Sequence, residues 1–216
     1  MMKKIILVLS IILFYANSFS QNDAAATALL DEIAAKADRY TSLKVDFKMF
    51  VENLQTKKRD SYSGSAAYKA GYYKLDIMGQ IVHSDGKTNW TYLKDAEEIN
   101  ITDNSENQAD MMNPKTILKD YKNKFKIKYI SDKFEANRPL VAIDMYPKVI
   151  EDKKYSKITL KVDKTKKQIY SARYVGKDGV SYLIEIQKFL ENPSIPDTEI
   201  KYSNNLYPDA EVIDMR

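Results

Sequence analysis

Few residues in this 216-residue chain can carry out chemistry. It holds one histidine (His83), no cysteine, one tryptophan (Trp90) and sixteen tyrosines. Without cysteine there are no thiolate nucleophiles, thiolate metal sites, disulfides or lipid-anchored cysteine. One histidine rules out metal sites that need two or more imidazoles and no thiolate. No serine or acid stands at a spacing from His83 that would make it a general base. The carboxylate pairs Glu97-Glu98 and Glu151-Asp152 fall on turns and hairpin edges, where charge protects an edge strand. No glycine motif cradles a phosphate. These exclusions point away from an enzyme: no catalytic residue, no metal and no cofactor is expected.

The side chains left over are apolar and aromatic, and elements must position them. Hydrophobic residues make up 44% of the chain, enough for a packed core. Asn22–Thr41 reads as one amphipathic helix. Leu29, Leu30, Ile33, Ala34, Ala37 and Tyr40 form its apolar stripe, Asp31, Glu32, Lys36 and Asp38 face away, and Asn22 or Asp23 can cap it. From Leu43 the period becomes two. In Leu43–Val51 the residues Leu43, Val45, Phe47, Met49 and Val51 point one way. Further strand patterns cover Ser61–Lys69, Tyr72–Met78, Gln80–Ser84, Thr88–Leu93, Glu97–Thr102, Lys124–Ser131, Leu140–Tyr146, Lys157–Asp163, Gln168–Val175 and Val180–Phe189. Turn signals such as Ala70-Gly71, Met78-Gly79 and Asp85-Gly86 separate them. About eleven antiparallel strands at this spacing predict a mainly β protein with a large, strongly curved sheet or barrel.

The first twenty residues read as an address. Lys3 and Lys4 precede an apolar run, Ile5–Ala16, which is too short for the roughly 20 residues that span a bilayer. Small residues at Ser18 and Ser20 complete a secretory signal peptide over 1–20, cut before Gln21, which leaves one domain over 21–216. The expected location is the bacterial periplasm. Loss of Lys3 and Lys4 takes the net charge from +4 to +2. The lysines are scattered and form no arginine-rich face, so nucleic acid is not an expected partner.

One segment interrupts the strands. Asp103–Tyr121 is a polar loop followed by Met111-Met112 and a short helix signal, with Asn113 at the cap, Pro114 at the first position, and Ile117 and Leu118 after it. Long connections of this kind are often functional. A strongly bent sheet has a concave face that this insertion and the N-terminal helix can cover. Small barrels fill with side chains and larger ones enclose a ligand space, and periodicity does not decide between them. Val45, Phe47, Met49, Tyr73, Leu75 and Ile77 are assigned to that face, with Lys69 sharing their parity. Trp90 and Tyr92 share one side of their hairpin, each able to bury a ring while keeping a polar tip satisfied. Met111 and Met112, unbranched and adaptable, suit a lid touching variable chains.

Several of these patterns, in order along the mature chain, resemble the periplasmic outer-membrane lipoprotein carriers of the LolA family. They are Ser42-Leu43-Lys44-Val45-Asp46-Phe47 after the helix; Gly64-Ser65-Ala66-Ala67-Tyr68-Lys69 leading into Ala70-Gly71-Tyr72-Tyr73-Lys74-Leu75; Ser84-Asp85-Gly86-Lys87 with Trp90 and Tyr92; Asn113-Pro114 opening a helix; and an ending over Tyr202–Asp214. The resemblance implies an unclosed β half-barrel with an N-terminal helix and an inserted helical lid, and an apolar cavity for lipoprotein acyl chains. Val45, Phe47, Met49, Tyr73, Leu75, Ile77, Trp90 and Tyr92 would bind the chains, and Lys69, Met111, Met112, Ile117 and Leu118 would form lid and latch. The implied partners are acylated lipoproteins, an inner-membrane lipoprotein-releasing ABC transporter and an outer-membrane acceptor, served by a monomeric carrier. The chain departs from the pattern where it has Lys69 for a latching arginine, Ala70 for a proline and Leu75 for an aromatic residue. Lysine keeps the charge and loses the bidentate fork. A second reading keeps the fold and changes the cargo, to another lipid or glycolipid carried or sensed. A third is an interaction module with a filled concave face.

Overall fold

The computed structural model describes residues 21–103, 117–151 and 153–216. The eleven expected strands are all present, most of them extended by one to four residues. They are β1 (Ser42–Asn53), β2 (Arg59–Lys69), β3 (Tyr72–Ile77), β4 (Gln80–Ser84), β5 (Thr88–Leu93), β6 (Glu98–Asp103), β7 (Phe125–Glu135), β8 (Arg138–Pro147), β9 (Tyr155–Asp163), β10 (Gln168–Gly176) and β11 (Val180–Glu191). A twelfth, β12 (Glu211–Asp214), lies in the C-terminal segment and pairs in parallel with β6. All twelve form one curved sheet in the order β12-β6-β5-β4-β3-β2-β1-β11-β10-β9-β8-β7, and among the described residues no further strand lies beside β12 or β7, so the barrel is unclosed.

Two meanders, β1–β6 and β7–β11, are joined where β1 pairs with β11. β6 and β7 therefore stand near opposite margins, and residues 104–116, which connect them, lie outside the described residues. Turn chemistry sets the registers. Ala70-Gly71 and Met78-Gly79 both have positive φ at their two central positions, the backbone of tight two-residue hairpins. Ala136-Asn137 makes the same kind of turn between β7 and β8 without a glycine.

The N-terminal helix, α1, covers 21–38. Residues 22 and 23 lie within it, and the Asp23 carboxylate accepts the Tyr129 amide of β7 at 2.7 Å instead of capping the helix. Ala26, Leu29, Leu30, Ile33 and Ala37 are buried, as their spacing requires. At its other end Lys36 pairs with Glu191 at 2.5 Å and donates to the Lys166 carbonyl, so α1 lies across the β7–β11 half of the sheet. Residues 117 and 118 are helical, and a short helix α2 (Tyr121–Lys124) leads into β7. Among the described residues no helix is long and apolar enough to cross a membrane.

Candidate functional site

The register divides the sheet into two faces. On the inner face, beneath α1, Val45 stands opposite Ala66, which stands opposite Leu75, and Phe47 opposite Gly64, which stands opposite Ile77. Gly64 is needed where it is. A Cβ there would lie 2.5 Å from the Phe47 ring and 2.9 Å from the Asp76 carbonyl oxygen, so the ring occupies the space a side chain would take. Val45, Phe47, Tyr73 and Leu75 are buried, and Met49 and Ile77 are partly buried. All six join one cluster with Leu29, Leu30 and Ile33 of α1, the buried Ile117, Leu118 and Tyr121, and the inward residues of β8–β11. The Tyr73 hydroxyl is satisfied inside this face by Asn89 Oδ1 at 3.0 Å. The six β1 and β3 residues assigned to the concave face from sequence, with Ile117 and Leu118, thus share one apolar surface. Met111 and Met112 fall outside the described residues.

The two parts of the cover, α1 and α2, are tied to each other by polar groups that sequence reasoning did not single out. The Tyr121 hydroxyl donates to Asp31 Oδ1 at 2.8 Å and lies 3.0 Å from the Thr27 carbonyl oxygen, while Lys122 reaches the other Asp31 oxygen at 2.7 Å. Burial and the Asp31 carboxylate push the Tyr121 hydroxyl well above its ordinary value, so it is a fixed donor. Burial acts to raise Asp31, but hydrogen bonds from Lys122 and Tyr121 outweigh it and hold the carboxyl below its usual value. Asp31 is on the polar face of α1, where a periodicity reading assigns it to solvent.

The outer face holds Lys69, Trp90 and Tyr92, which corrects their placement with the concave residues. A two-residue turn at Ala70-Gly71 pairs Lys69 with Tyr72 and Tyr68 with Tyr73, so Lys69 faces away from Tyr73. The β4–β5 register likewise puts Asn89 inside and Trp90 opposite His83 outside. On this face the chain after β11 forms a strap. It contains a short helix α3 (Asp197–Ile200), whose Ile200 is buried with Ile195 against Ala67 and the partly buried Tyr72. Lys69 donates to the Ile195 carbonyl at 2.7 Å and pairs with Asp197 at 2.8 Å, so it holds the strap and not the cover. Tyr202 stacks on Trp90 at 5.1 Å and Tyr207 on Tyr92 at 4.0 Å between ring centroids.

His83 is 1% exposed beneath this strap. Its Nδ1 lies 2.9 Å from the Ile200 carbonyl oxygen and its Nε2 lies 3.1 Å from the Tyr207 hydroxyl. A carbonyl can only accept, so Nδ1 carries the proton and Nε2 accepts from Tyr207. Burial lowers the His83 pKa, and burial pushes Tyr207 up to about 12, which keeps both partners neutral near pH 7. The one imidazole therefore fastens structure. A cleft of about 530 Å³ where α1 meets the β11 end is lined by Glu32, Lys36, Arg39, Lys167 and Glu191. Its walls also carry Ala35, Tyr40 and Asn192, and the ion pairs Lys36–Glu191 and Lys167–Glu32 run along it.

An unclosed, strongly bent sheet whose apolar inner face lies under a helical cover defines a LolA-like β half-barrel. The chain belongs to the outer membrane lipoprotein carrier protein LolA family, whose model matches residues 16–164. No curated protein matches it by sequence. Among solved structures it is similar to an uncharacterized conserved protein from Thermus thermophilus, with TM-score 0.58 and 10% identity over 88% of this chain and 99% of that one. It is also similar to LprF from Mycobacterium bovis, with TM-score 0.51 and 13% identity over 80% and 96% of the two chains. At these identities the likeness is one of fold.

Proposed function

We propose that this protein is a carrier that shelters the acyl chains of lipoproteins against the inner face of its half-barrel and moves them from the inner to the outer membrane. The observation that supports this most is the single apolar cluster formed by Val45, Phe47, Tyr73 and Leu75 of the sheet with α1, Ile117, Leu118 and Tyr121. The sheet side of that cluster is built on long strands, whereas the two parts of the cover, α1 and α2, are joined at their edge by a hydroxyl, a carboxylate and an ammonium. Lifting the cover exposes a wide apolar floor. Each acyl methylene buried there contributes about 0.8 kcal/mol, so a few chains offset the lost contacts between cover and floor. The closed form is then the empty carrier, and cargo shifts the population toward an open one.

On this reading residues 1–20 direct export and are removed before Gln21, and the processed chain works as a periplasmic monomer. It would receive cargo from an inner-membrane lipoprotein-releasing ABC transporter and yield it to an outer-membrane acceptor whose apolar groove competes for the same chains. No bond is made or broken by the carrier.

The test is mass spectrometry of the organic extract and of co-purifying peptides, from processed protein prepared out of the cell envelope without detergent. Acylated lipoprotein fragments are the expected result. A free lipid or glycolipid instead would keep the floor and replace the cargo. Equal affinity for acylated and acyl-free lipoprotein would sink the proposal.

A further inference from the structure

Lysines far apart in sequence meet at one end of the sheet, around two exposed apolar residues. Val149 and Ile150, in the loop between β8 and β9, are 59% and 53% exposed. Their loop is held in shape by its neighbours. The Lys148 amide donates to the Lys124 carbonyl at 2.9 Å, and the Lys148 ammonium to the Lys122 carbonyl at 2.8 Å. The Lys177 ammonium, from the β10–β11 turn, donates to the Ile150 carbonyl at 2.5 Å, and the Lys177 amide to the Lys154 carbonyl at 3.0 Å. Segments 119–126, 148–154 and 177–178 together contain eight lysines and four acidic residues. With Asp31, which pairs with Lys122, the excess is three positive charges, more than the net charge of +2 left on the chain once 1–20 is removed, so positive charge is concentrated at this rim. Carbonyl oxygens take up the Lys148 and Lys177 ammoniums, an arrangement that orients the charges without cancelling them.

We propose that this rim docks on an anionic lipid bilayer surface, with Val149 and Ile150 entering the headgroup boundary and Lys124, Lys148, Lys153, Lys154 and Lys177 around them. An exposed apolar tip within a lysine field carries both signals that stable surface binding needs, buried apolar area and attraction to anionic headgroups. Charge complementarity selects the occupant, since a neutral apolar partner would leave the rim's excess positive charge uncompensated. The inference stands apart from the acyl-carrier reading, because the rim and the inner face are different surfaces.

The experiment is co-sedimentation of the processed protein with phosphatidylcholine vesicles containing 30% phosphatidylglycerol, beside vesicles of phosphatidylcholine alone. Binding to the anionic vesicles is expected, at least tenfold weaker on the neutral ones and suppressed at 0.5 M salt. V149D/I150D should lower binding more than tenfold, and K153Q/K154Q about fivefold for each charge removed. These residues are exposed, so thermal unfolding of both variants should match the parent. Capture of lipid by the inner face would be the same on both vesicle types, which separates it from rim docking. Equal binding to both compositions, binding unchanged by V149D/I150D, or binding to neither would overturn the proposal; the last outcome would leave the rim to an acidic protein.

Discussion

The Tyr121 hydroxyl lies 2.8 Å from Asp31 and ties the short helix before β7 to the polar face of the N-terminal helix. The two residues are 90 positions apart, and each belongs to a different part of the cover. Removing this one oxygen leaves the aromatic packing of Tyr121 in place. Tyr121→Phe should therefore loosen the cover by about 1 kcal/mol, the scale of one net hydrogen bond beside a half-exposed carboxylate. Hydrogen exchange of the 117–124 amides should accelerate about fivefold, with the sheet amides unchanged. Uniform acceleration across the sheet would show that the bond serves global stability and not the cover.

The pH dependence of this latch follows from the two shifts. Asp31 is held below 3.8, so its contribution is present above that value and fades as pH falls through the folded pKa. Tyr121 is raised above 10, so its contribution is present below that value and fades as pH rises further. The cover should stay closed between about pH 4 and pH 10 and loosen beyond either limit. Exchange of the same amides across pH, referred to Tyr121→Phe, reads this directly; identical profiles for the two proteins would count against the latch.

His83 works in the opposite sense to an ordinary surface histidine. Its folded pKa is below 6.5, so the unfolded chain binds the extra proton first and stability falls as pH drops below about 6.5. His83→Asn keeps a donor near the Ile200 carbonyl and cannot be charged in this range. Urea midpoints measured from pH 8 to pH 5 should decline for the parent and stay level for the variant. Parallel declines would mean that some other group is responsible.

Much of this fold was legible because a strand buried on one face writes its period into the sequence. Leu43, Val45, Phe47 and Met49 alternate with polar residues, and the structure puts all four toward the core. The turns at Ala70-Gly71 and Met78-Gly79 were equally plain, whereas Ala136-Asn137 carries no glycine and marks its hairpin less strongly. What alternation does not say is which face a run uses. Both faces of β2–β6 are apolar in places, because the C-terminal strap covers the outer one, so Trp90 and Tyr92 read as well for either side. The flip at Lys69 was available: a two-residue turn pairs positions 69 and 72, which puts Tyr73 on the other face. The latch and the lysine rim were not available, since each is made of residues brought together only by the folded sheet order.

Gly64 offers a direct check on the packing of the inner face. Gly64→Ala places a methyl 2.5 Å from the Phe47 ring, with the Asp76 carbonyl blocking the other side. The ring must shift within a filled cluster, at a cost of about 1–3 kcal/mol. The urea midpoint should drop accordingly with an unchanged slope. An unchanged midpoint would mean that Phe47 has room to move and that the inner face is looser than its burial implies.

The division into two faces makes its strongest prediction about binding. Ile77 is on the inner face, only partly buried, so Ile77→Asp puts a carboxylate on the proposed acyl floor without emptying the centre of the core. Desolvating that charge under an acyl chain is costly, and co-purifying acyl matter should fall at least tenfold while the fold survives. Tyr202→Ala acts on the outer face, where it removes the ring stacked on Trp90. It should cost about 1 kcal/mol or more in stability, from the lost aromatic pair and its buried area, yet leave acyl matter per folded molecule unchanged. The two variants thus separate binding from stability in opposite directions. Loss of acyl matter in Tyr202→Ala at full folding would return the Trp90 side of the sheet to the binding site, and retention in Ile77→Asp would remove the inner face from it.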